Sequence, residues 1–187
     1  MIRSPRWNAL RIPVPAFALL LGIVLISHAG APSGYCSPRC LDDLKRLSAC
    51  QLAELYTRAE VGRPFAGVAQ GRLLRLTDER LPRLKVLGAN AVWRGKAAWE
   101  DGTFVNRWIG GIHWIDSRYV YGPSWVDGRP TLIMEYAPGT PLFANMHDEL
   151  REIAPGLYMG PVYERFPCPR LRGYVALQIE CAAPCRR

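Results

Sequence analysis

The chain has 187 residues, of which 49% are hydrophobic and 21% charged. This composition predicts one folded domain of ordinary size and excludes intrinsic disorder as the main state. Basic residues outnumber acidic ones by 24 to 16, for a net charge of +8. Only three of the basic residues are lysines (Lys45, Lys85 and Lys96), which indicates a compositional bias towards arginine rather than a nucleic-acid-binding surface.

Residues 1–31 have the pattern of an export signal. Basic residues precede the uncharged apolar run Ala16–Ile26, and Ala29 and Ala31 then stand in the arrangement that a signal peptidase recognises. The run is shorter than the ~20 residues that cross a bilayer as a helix. We therefore expect a cleaved signal peptide over 1–31 and a secreted or periplasmic protein. The alternative is an uncleaved anchor, which would be the chain's only link to a membrane.

Six cysteines lie in two groups near the ends of the expected mature chain. They are Cys36, Cys40, Cys50, Cys168, Cys181 and Cys185. An even number of cysteines in an exported chain predicts disulfides. We expect all six to be oxidised, with at least one bridge joining the early group to the late one. A zinc site is the alternative, but the C-x-x-x-C pairs have neither the usual zinc spacing nor a nearby histidine, so no metal is expected.

Residues 32–62 predict two short helices. The first follows Ser37-Pro38, and the second begins at the capping-box pattern Ser48–Gln51 and ends at Gly62.

Residues 63–187 have a sequence pattern that is typical of a β-domain. Apolar and aromatic runs alternate with turn dipeptides such as Asp101-Gly102 and Asp127-Gly128, which predict hairpins. The predicted strands are Ala91–Trp99, Thr103–Ile115, Arg118–Val126, Arg129–Tyr136, Leu157–Arg165 and Gly173–Ile179. The charged segment His147–Ile153 is interpreted as a short helical turn or a tight loop. The expected fold is mainly β: an antiparallel meander of about seven or eight strands, closed into a small barrel. An open sheet around the helices is the alternative.

Aromatic and cationic residues concentrate in the middle of this domain. Five tryptophans fall between Trp93 and Trp125, which is compatible with an aromatic-lined cavity for a small apolar or amphiphilic ligand or with a filled core. We expect Trp93, Trp99 and Trp125 on the inner side, and Lys96 at the mouth, because an unpaired buried ammonium is costly. The candidate ligand-binding residues are Trp93, Lys96, Trp99, Asn106, Arg107, Trp125 and Tyr136.

A second hypothesis is a metal-independent enzyme. Asp148 and Glu149, with His113 or His147, could serve acid–base chemistry. The simpler interpretation is a solvated charged turn in which Asp148 pairs with Arg151. We find no nucleophile elbow, zinc-protease helix, phosphate loop or dinucleotide fingerprint, and no catalytic residue or cofactor is assigned. A third hypothesis is a purely structural envelope protein.

Three stretches carry a resemblance to known proteins. They are Trp93-Arg94-Gly95-Lys96, Ser124–Pro130, and Asp148–Arg151 leading to Gly156–Gly160. Together they resemble an uncharacterised family of secreted bacterial proteins with cysteine-rich ends. More distantly they are similar to calycin-like small barrels with W-x-G-K and D-G-x-P motifs. The preceding G-x-W-x-G element of such barrels is represented by Gly67–Gly71, with Ala69 in place of the tryptophan. The resemblance implies a small barrel and a ligand-binding role over about residues 60–180.

The signal pattern leads to a first prediction, that the mature chain begins near Pro32. N-terminal sequencing of the protein from its own envelope should therefore start at or close to that residue. Recovery of an intact Met1 in the membrane fraction would instead establish the anchor.

Overall fold

The computed structural model describes residues 37–77, 80–140 and 143–180. In this part of the chain there are three α-helices and eight β-strands. The helices are α1 (Leu41–Leu44), α2 (Ala49–Arg58) and α3 (Pro82–Val92). The strands are β1 (Gly67–Leu76), β2 (Trp93–Ala98), β3 (Thr103–Trp108), β4 (His113–Pro123), β5 (Pro130–Tyr136), β6 (Met146–Ala154), β7 (Leu157–Glu164) and β8 (Arg170–Ile179).

The strands form a closed antiparallel barrel in which each strand pairs with the next, and β8 pairs with β1. The prediction of a mainly β fold built as a small meander barrel is therefore confirmed. Closure leaves the sheet with no unpaired edge, which is how barrels avoid association through exposed strands.

The two predicted N-terminal helices are present. At the start of α2 the Ser48 hydroxyl accepts from the Gln51 amide at 3.3 Å, and the Gln51 side chain accepts from the Ser48 amide at 2.9 Å. This is the capping box expected from the sequence. Leu52 and Tyr56 of α2 are fully buried, so the helix packs its apolar stripe against the outside of the barrel.

Some elements differ from the prediction. Helix α3 and strand β1 were not expected, and α3 occupies the start of the predicted strand Ala91–Trp99. The predicted strand Thr103–Ile115 is broken after Trp108 by a 3₁₀ turn, Ile109–Gly111, in which Gly110 and Gly111 have φ of 76° and 75°. Glycine adopts such positive φ values without a steric penalty, and the chain turns there from β3 into β4.

The interpretation of His147–Ile153 as a helical turn is wrong, because the segment lies within strand β6. Inward-facing and outward-facing residues alternate along this strand, but charged residues occur on both faces, so the alternation is not visible as a polar–apolar pattern. Asp148 and Leu150 face the barrel interior, whereas Glu149 and Arg151 face outwards beneath α2 and the β4–β5 turn. Both faces of the strand are buried, so polarity alone did not mark which side was the core.

Two apolar clusters stabilise this arrangement. The interior cluster draws on nearly every strand and includes Phe104, Tyr119, Leu132, Met134, Leu150 and Leu177. The second cluster joins the helices to the outer face of β7 and β8 and includes Leu44, Leu52, Tyr56, Leu157, Met159 and Ala176. The interior cluster surrounds the candidate site, whereas the second cluster fixes the helices on the barrel wall.

Close approach of β1 and β2 depends on two glycines. A Cβ at Gly71 would lie 2.5 Å from the Trp93 ring, and a Cβ at Gly95 would lie 2.1 Å from the Ala69 carbonyl oxygen. Gly95 also has φ of 124°, a conformation that other residues rarely adopt. These glycines allow the Trp93 ring to lie against β1 and keep Lys96 in register with Ala69.

The cysteines only partly follow the prediction. Cys50 and Cys168 are free and exposed, so the expectation that all six are oxidised is wrong at these two positions. Cys40 is disulfide-bonded, and no bridge joins two cysteines of the described ranges. Cys36, Cys181 and Cys185 lie outside those ranges, as does the expected signal peptide. No helix within 37–77, 80–140 or 143–180 has the length and apolarity needed to cross a membrane.

A second prediction follows from the cysteine states. Iodoacetamide added to the folded, unreduced protein should alkylate Cys50 and Cys168, because both are exposed thiols. Cys40 should be alkylated only after denaturation and reduction, which peptide mapping would show. A disulfide-linked peptide containing Cys50 or Cys168 would contradict this result.

Candidate functional site

A polar cluster lies inside the barrel at the centre of the apolar interior. Lys96 on β2 is 1% exposed and Asn106 on β3 is 2% exposed. The two residues stand opposite each other in the β2–β3 register. The Lys96 ammonium nitrogen donates to Asn106 Oδ1 at 2.9 Å, and Trp93 Nε1 donates to the same oxygen at 3.1 Å. One amide oxygen therefore holds both the lysine and the tryptophan.

Aromatic rings surround the Lys96 nitrogen. It lies 4.3 Å from the ring centroid of Phe104, 5.3 Å from that of Tyr136 and 5.9 Å from that of Trp93. A cation near ring faces is stabilised by the aromatic quadrupoles, most strongly where water is excluded. The rings thus compensate part of the cost of burying this amine.

Asp148 completes the cluster from β6. The Tyr136 hydroxyl donates to Asp148 Oδ2, and the Asp148 side chain is buried. Asp148 Oδ1 and Asn106 Nδ2 have no hydrogen-bond partner among the described residues. The great majority of buried polar atoms in proteins are paired, so an unpaired acceptor and an unpaired donor in this cluster make it a candidate site. The buried Trp108 Nε1 and the Tyr119 hydroxyl are unpaired among the described residues as well.

Burial changes the protonation of both ionisable groups in the cluster. It lowers the pKa of Lys96 to about 7, although the negative charge of Asp148 acts in the opposite direction. Burial likewise raises the pKa of Asp148, and the Tyr136 hydrogen bond and the charge of Lys96 offset this only partly. The expectation of Lys96 at the mouth is therefore wrong. The amine can lie deep in the barrel because it gives up its proton easily and because Asn106 and the rings accommodate it.

A pocket of about 440 Å³ adjoins the cluster through Tyr136. It lies where β5 and β6 separate, beyond the last pair of their register, Met134 and Asp148. The interior-facing and apolar part of its lining includes Ser117, Tyr136, Phe143 and Met146. The charged rim includes Asp116, Arg118, Glu135 and Arg165. Tyr136 is shared, since its ring lines the pocket while its hydroxyl binds Asp148.

The structure brings together four of the seven candidate ligand-binding residues: Trp93, Lys96, Asn106 and Tyr136. The other three lie elsewhere. Trp99 is 50% exposed beyond the end of β2, and Trp125 is 43% exposed in the β4–β5 turn. Arg107 faces outwards and pairs with Glu180 at 3.1 Å. The expected inner location of Trp99 and Trp125 is wrong because both fall in turns, where strand parity does not apply.

A second polar cluster is centred on Glu149 on the outer side of β6. Its Oε2 accepts from the Tyr56 hydroxyl at 2.6 Å and from the Ser124 hydroxyl at 2.5 Å. Its Oε1 accepts from the Trp125 amide at 2.7 Å and from His147 Nε2 at 3.0 Å. Burial alone would raise the pKa of Glu149, but these hydrogen bonds, led by that of His147, outweigh burial and hold the pKa below its usual value.

Arg151 extends this outer cluster. Its guanidinium binds the Asp127 carboxylate through two bonds of 2.7 Å. The remaining donors reach the carbonyl oxygens of Tyr56, Arg129 and Pro130. The expected pairing of Arg151 with Asp148 is wrong, because the two side chains lie on opposite faces of β6. Every donor of the buried guanidinium is thus satisfied by the scaffold.

The residues of the acid–base hypothesis are not assembled into one site. Asp148 lies inside the barrel and Glu149 outside, while His113 is exposed at the start of β4. His147 is near Glu149 but is covered by the Trp125 ring, which stacks on it at a centroid distance of 3.8 Å. Phe104 and Ser117 also belong to the interior site, and neither is among the candidate residues predicted from the sequence. Their alternation with Val105 and Asp116 was the available signal.

Comparisons with known proteins add a fold and no activity. No protein-family model and no curated protein matches this chain. A crystal structure of a protein from Thermomonospora curvata is similar, with 16% sequence identity and a TM-score of 0.51. The match covers 72% of this chain and 88% of that one. At this identity the similarity supports the barrel fold alone.

The Glu149 cluster generates a third prediction, about stability and pH. Glu149→Gln should lower the free energy of unfolding at pH 7 by ~2–4 kcal/mol. The reason is that the NH2 group of glutamine would face N–H and O–H groups that now donate to the carboxylate. A carboxyl with a depressed pKa contributes stability above its unfolded pKa, about 4.3, and that contribution is lost as pH falls through the lower folded value. The difference between wild type and variant should therefore shrink below that pH.

Urea unfolding at several pH values measures this difference. Glu135→Gln is the matched control, since Glu135 pairs with Arg118 on the exposed outer face of β5 and should change stability by less than ~1 kcal/mol. A Glu149→Gln difference that is independent of pH would contradict the assignment of an ionised, buried Glu149.

Proposed function

We propose that this protein is an exported binding protein whose barrel holds a small apolar or amphiphilic molecule. The observation that carries the proposal is the polar cluster of Lys96, Asn106 and Asp148, which lies among aromatic rings. Tyr136 binds Asp148 of this cluster and also lines a neighbouring pocket of about 440 Å³. Small-molecule sites typically combine an apolar lining with a few convergent polar groups. The pattern of residues 1–31 supports export.

The unpaired atoms indicate what the polar end of the ligand must provide. Asn106 Nδ2 offers a hydrogen and Asp148 Oδ1 offers lone pairs. An oxygen function such as an alcohol, a carbonyl or a neutral carboxylic acid can accept from the amide, and a hydroxyl can also donate to the carboxylate. The apolar remainder of such a molecule would lie among the rings and towards Ser117, Phe143 and Met146.

The opposite faces occupied by Asp148 and Glu149 disfavour the enzyme hypothesis. A general acid and base must both reach the same substrate, whereas the β6 backbone separates these two carboxyls. The remaining alternative is a structural envelope protein whose interior is only a core. Retention of a ligand distinguishes this alternative from a binding protein.

A fourth prediction tests the proposal by native mass spectrometry of protein purified from its own envelope. Wild type should carry added mass from a small molecule, which denaturation releases. Ser117→Phe should abolish the added mass, because Ser117 is buried, faces inwards and lines the pocket. The matched control is Val120→Phe, which adds the same ring to the outer face of β4 and should retain the ligand.

A more conservative variant provides a second test in case Ser117→Phe does not fold. Tyr136→Phe keeps the ring but removes the hydroxyl that binds Asp148, so it should fold and retain less ligand. Circular dichroism checks each variant. A folded wild type that carries no added mass, and that binds none of a series of medium-chain alcohols and acids, would favour the structural alternative.

A further inference from the structure

We propose that Lys96 is a covalent attachment site, and that the barrel captures an aldehyde by forming an imine with the Lys96 amine. The inference rests on the proposed function, because it names a ligand class for the same interior cluster. Lys96 itself does not line the pocket, which reaches the cluster through Tyr136. No other lysine of the described residues lies in a comparable setting: Lys45 and Lys85 are exposed.

The surroundings of Lys96 are those of a reactive amine rather than a structural cation. Within the described ranges its nitrogen makes one hydrogen bond, to a neutral amide oxygen, and no ion pair with Asp148 falls within contact distance. A structural lysine at this depth would be expected to bind a carboxylate directly, as Arg151 binds Asp127 at 2.7 Å. Desolvation in an apolar pocket is a recognised way to activate a lysine nucleophile.

The protonation state of the Lys96 amine also supports imine formation at this position. Because burial lowers the pKa of Lys96 to about 7, a large share of the amine is neutral at physiological pH. The ionisable groups facing it are Asp148 on β6 and Tyr136 on β5, while Tyr119 on β4 packs against Phe104. Burial raises the pKa of both tyrosines well above the usual value, so they remain neutral. Among the residues that the structure describes, Asp148 is the one that adds charge near the amine.

The unpaired atoms fit the steps of imine formation. The Lys96 nitrogen adds its lone pair to the aldehyde carbon, the C=O π electrons move to oxygen, and Asn106 Nδ2 is available to donate to that oxygen. Asp148 can accept a proton from the positively charged nitrogen and pass it to the oxygen, which gives a neutral carbinolamine. Asp148 then accepts the remaining nitrogen proton and delivers it to the hydroxyl, which departs as water while the nitrogen lone pair forms the C=N bond. Amine and aldehyde become imine and water, with nothing oxidised or reduced.

The small number of lysines makes the test direct. Hexanal forms an imine with a lysine, and sodium cyanoborohydride reduces this imine to a stable Nε-hexyl-lysine. Peptide mapping then gives the extent of alkylation at Lys45, Lys85 and Lys96 separately. At pH 7 Lys96 should be alkylated at least about tenfold faster than the other two, because the neutral amine is the nucleophile and burial favours the neutral form of Lys96. Raising the pH to 9.5 should narrow the difference in alkylation rate between Lys96 and the two exposed lysines.

Two variants and one competitor complete the design. Lys96→Met should lose the fast alkylation, whereas the double variant Lys45→Met and Lys85→Met should keep it. Asp148→Asn should slow the fast phase by about a hundredfold, as removal of a positioned acid–base group does at the low end of its usual range. Hexanol, which cannot form an imine, should compete with hexanal and slow alkylation of Lys96.

The outcomes separate this inference from the proposed function. Equal alkylation of all three lysines, or of only the exposed pair, overturns the inference. If hexanol binds to the wild type but Lys96 is not alkylated, the inference fails and the binding function stands. If hexanol does not bind, Lys96 is not alkylated and no ligand is retained on purification, both fail.

Discussion

The buried carboxylate of Glu149 fixes the position of β6, and the interior site depends on that strand. Its four hydrogen bonds reach α2 through Tyr56, the β4–β5 turn through Ser124 and Trp125, and β6 itself through His147. A shift of a strand by one residue would exchange its two faces. It would send Glu149 into the barrel and Asp148 out of it. The scaffold network thereby determines that Asp148, and not its neighbour, faces Lys96.

The two sides of β6 use their polar atoms differently. On the outer side every donor of Arg151 and both oxygens of Glu149 are paired, so this cluster is complete without a further molecule. On the inner side Asp148 Oδ1 and Asn106 Nδ2 remain unpaired, and the amine of Lys96 is held by one neutral oxygen. Complete pairing stabilises a fold, whereas unpaired atoms beside a reactive group cost stability and are characteristic of sites. This difference distinguishes scaffold from candidate site within a single strand.

Local patterns allowed much of the architecture to be predicted from the sequence. The capping box at Ser48, the Asp-Gly turns and the strand-length apolar runs each depend on neighbouring residues, and they correctly predicted two helices followed by a meander barrel. Lys96 and Tyr136 were also among the candidate site residues, and both lie in the interior cluster. What failed depends on contacts between residues distant in sequence. The charges of β6 are tolerated only because α2 and a distant turn cover them. Lys96 is buried because Phe104, Tyr136 and Asn106 from other strands surround its amine together with Trp93 of its own strand.

Strand pairing makes one seam of the barrel, the contact between β5 and β6, different from the others. In the described residues, β5 and β6 are registered over three residue pairs, from Leu132 opposite Leu150 to Met134 opposite Asp148, whereas β7 and β8 are registered over eight. Local opening requires the least free energy where the fewest ladder hydrogen bonds must break. The amides that pair β5 with β6 are therefore expected to exchange with solvent by a smaller fluctuation than those that pair β7 with β8. If the interior binds a molecule at Asp148 as proposed, that molecule would leave by local opening of this seam. Its residence time would then be set by this opening rather than by the stability of the whole barrel.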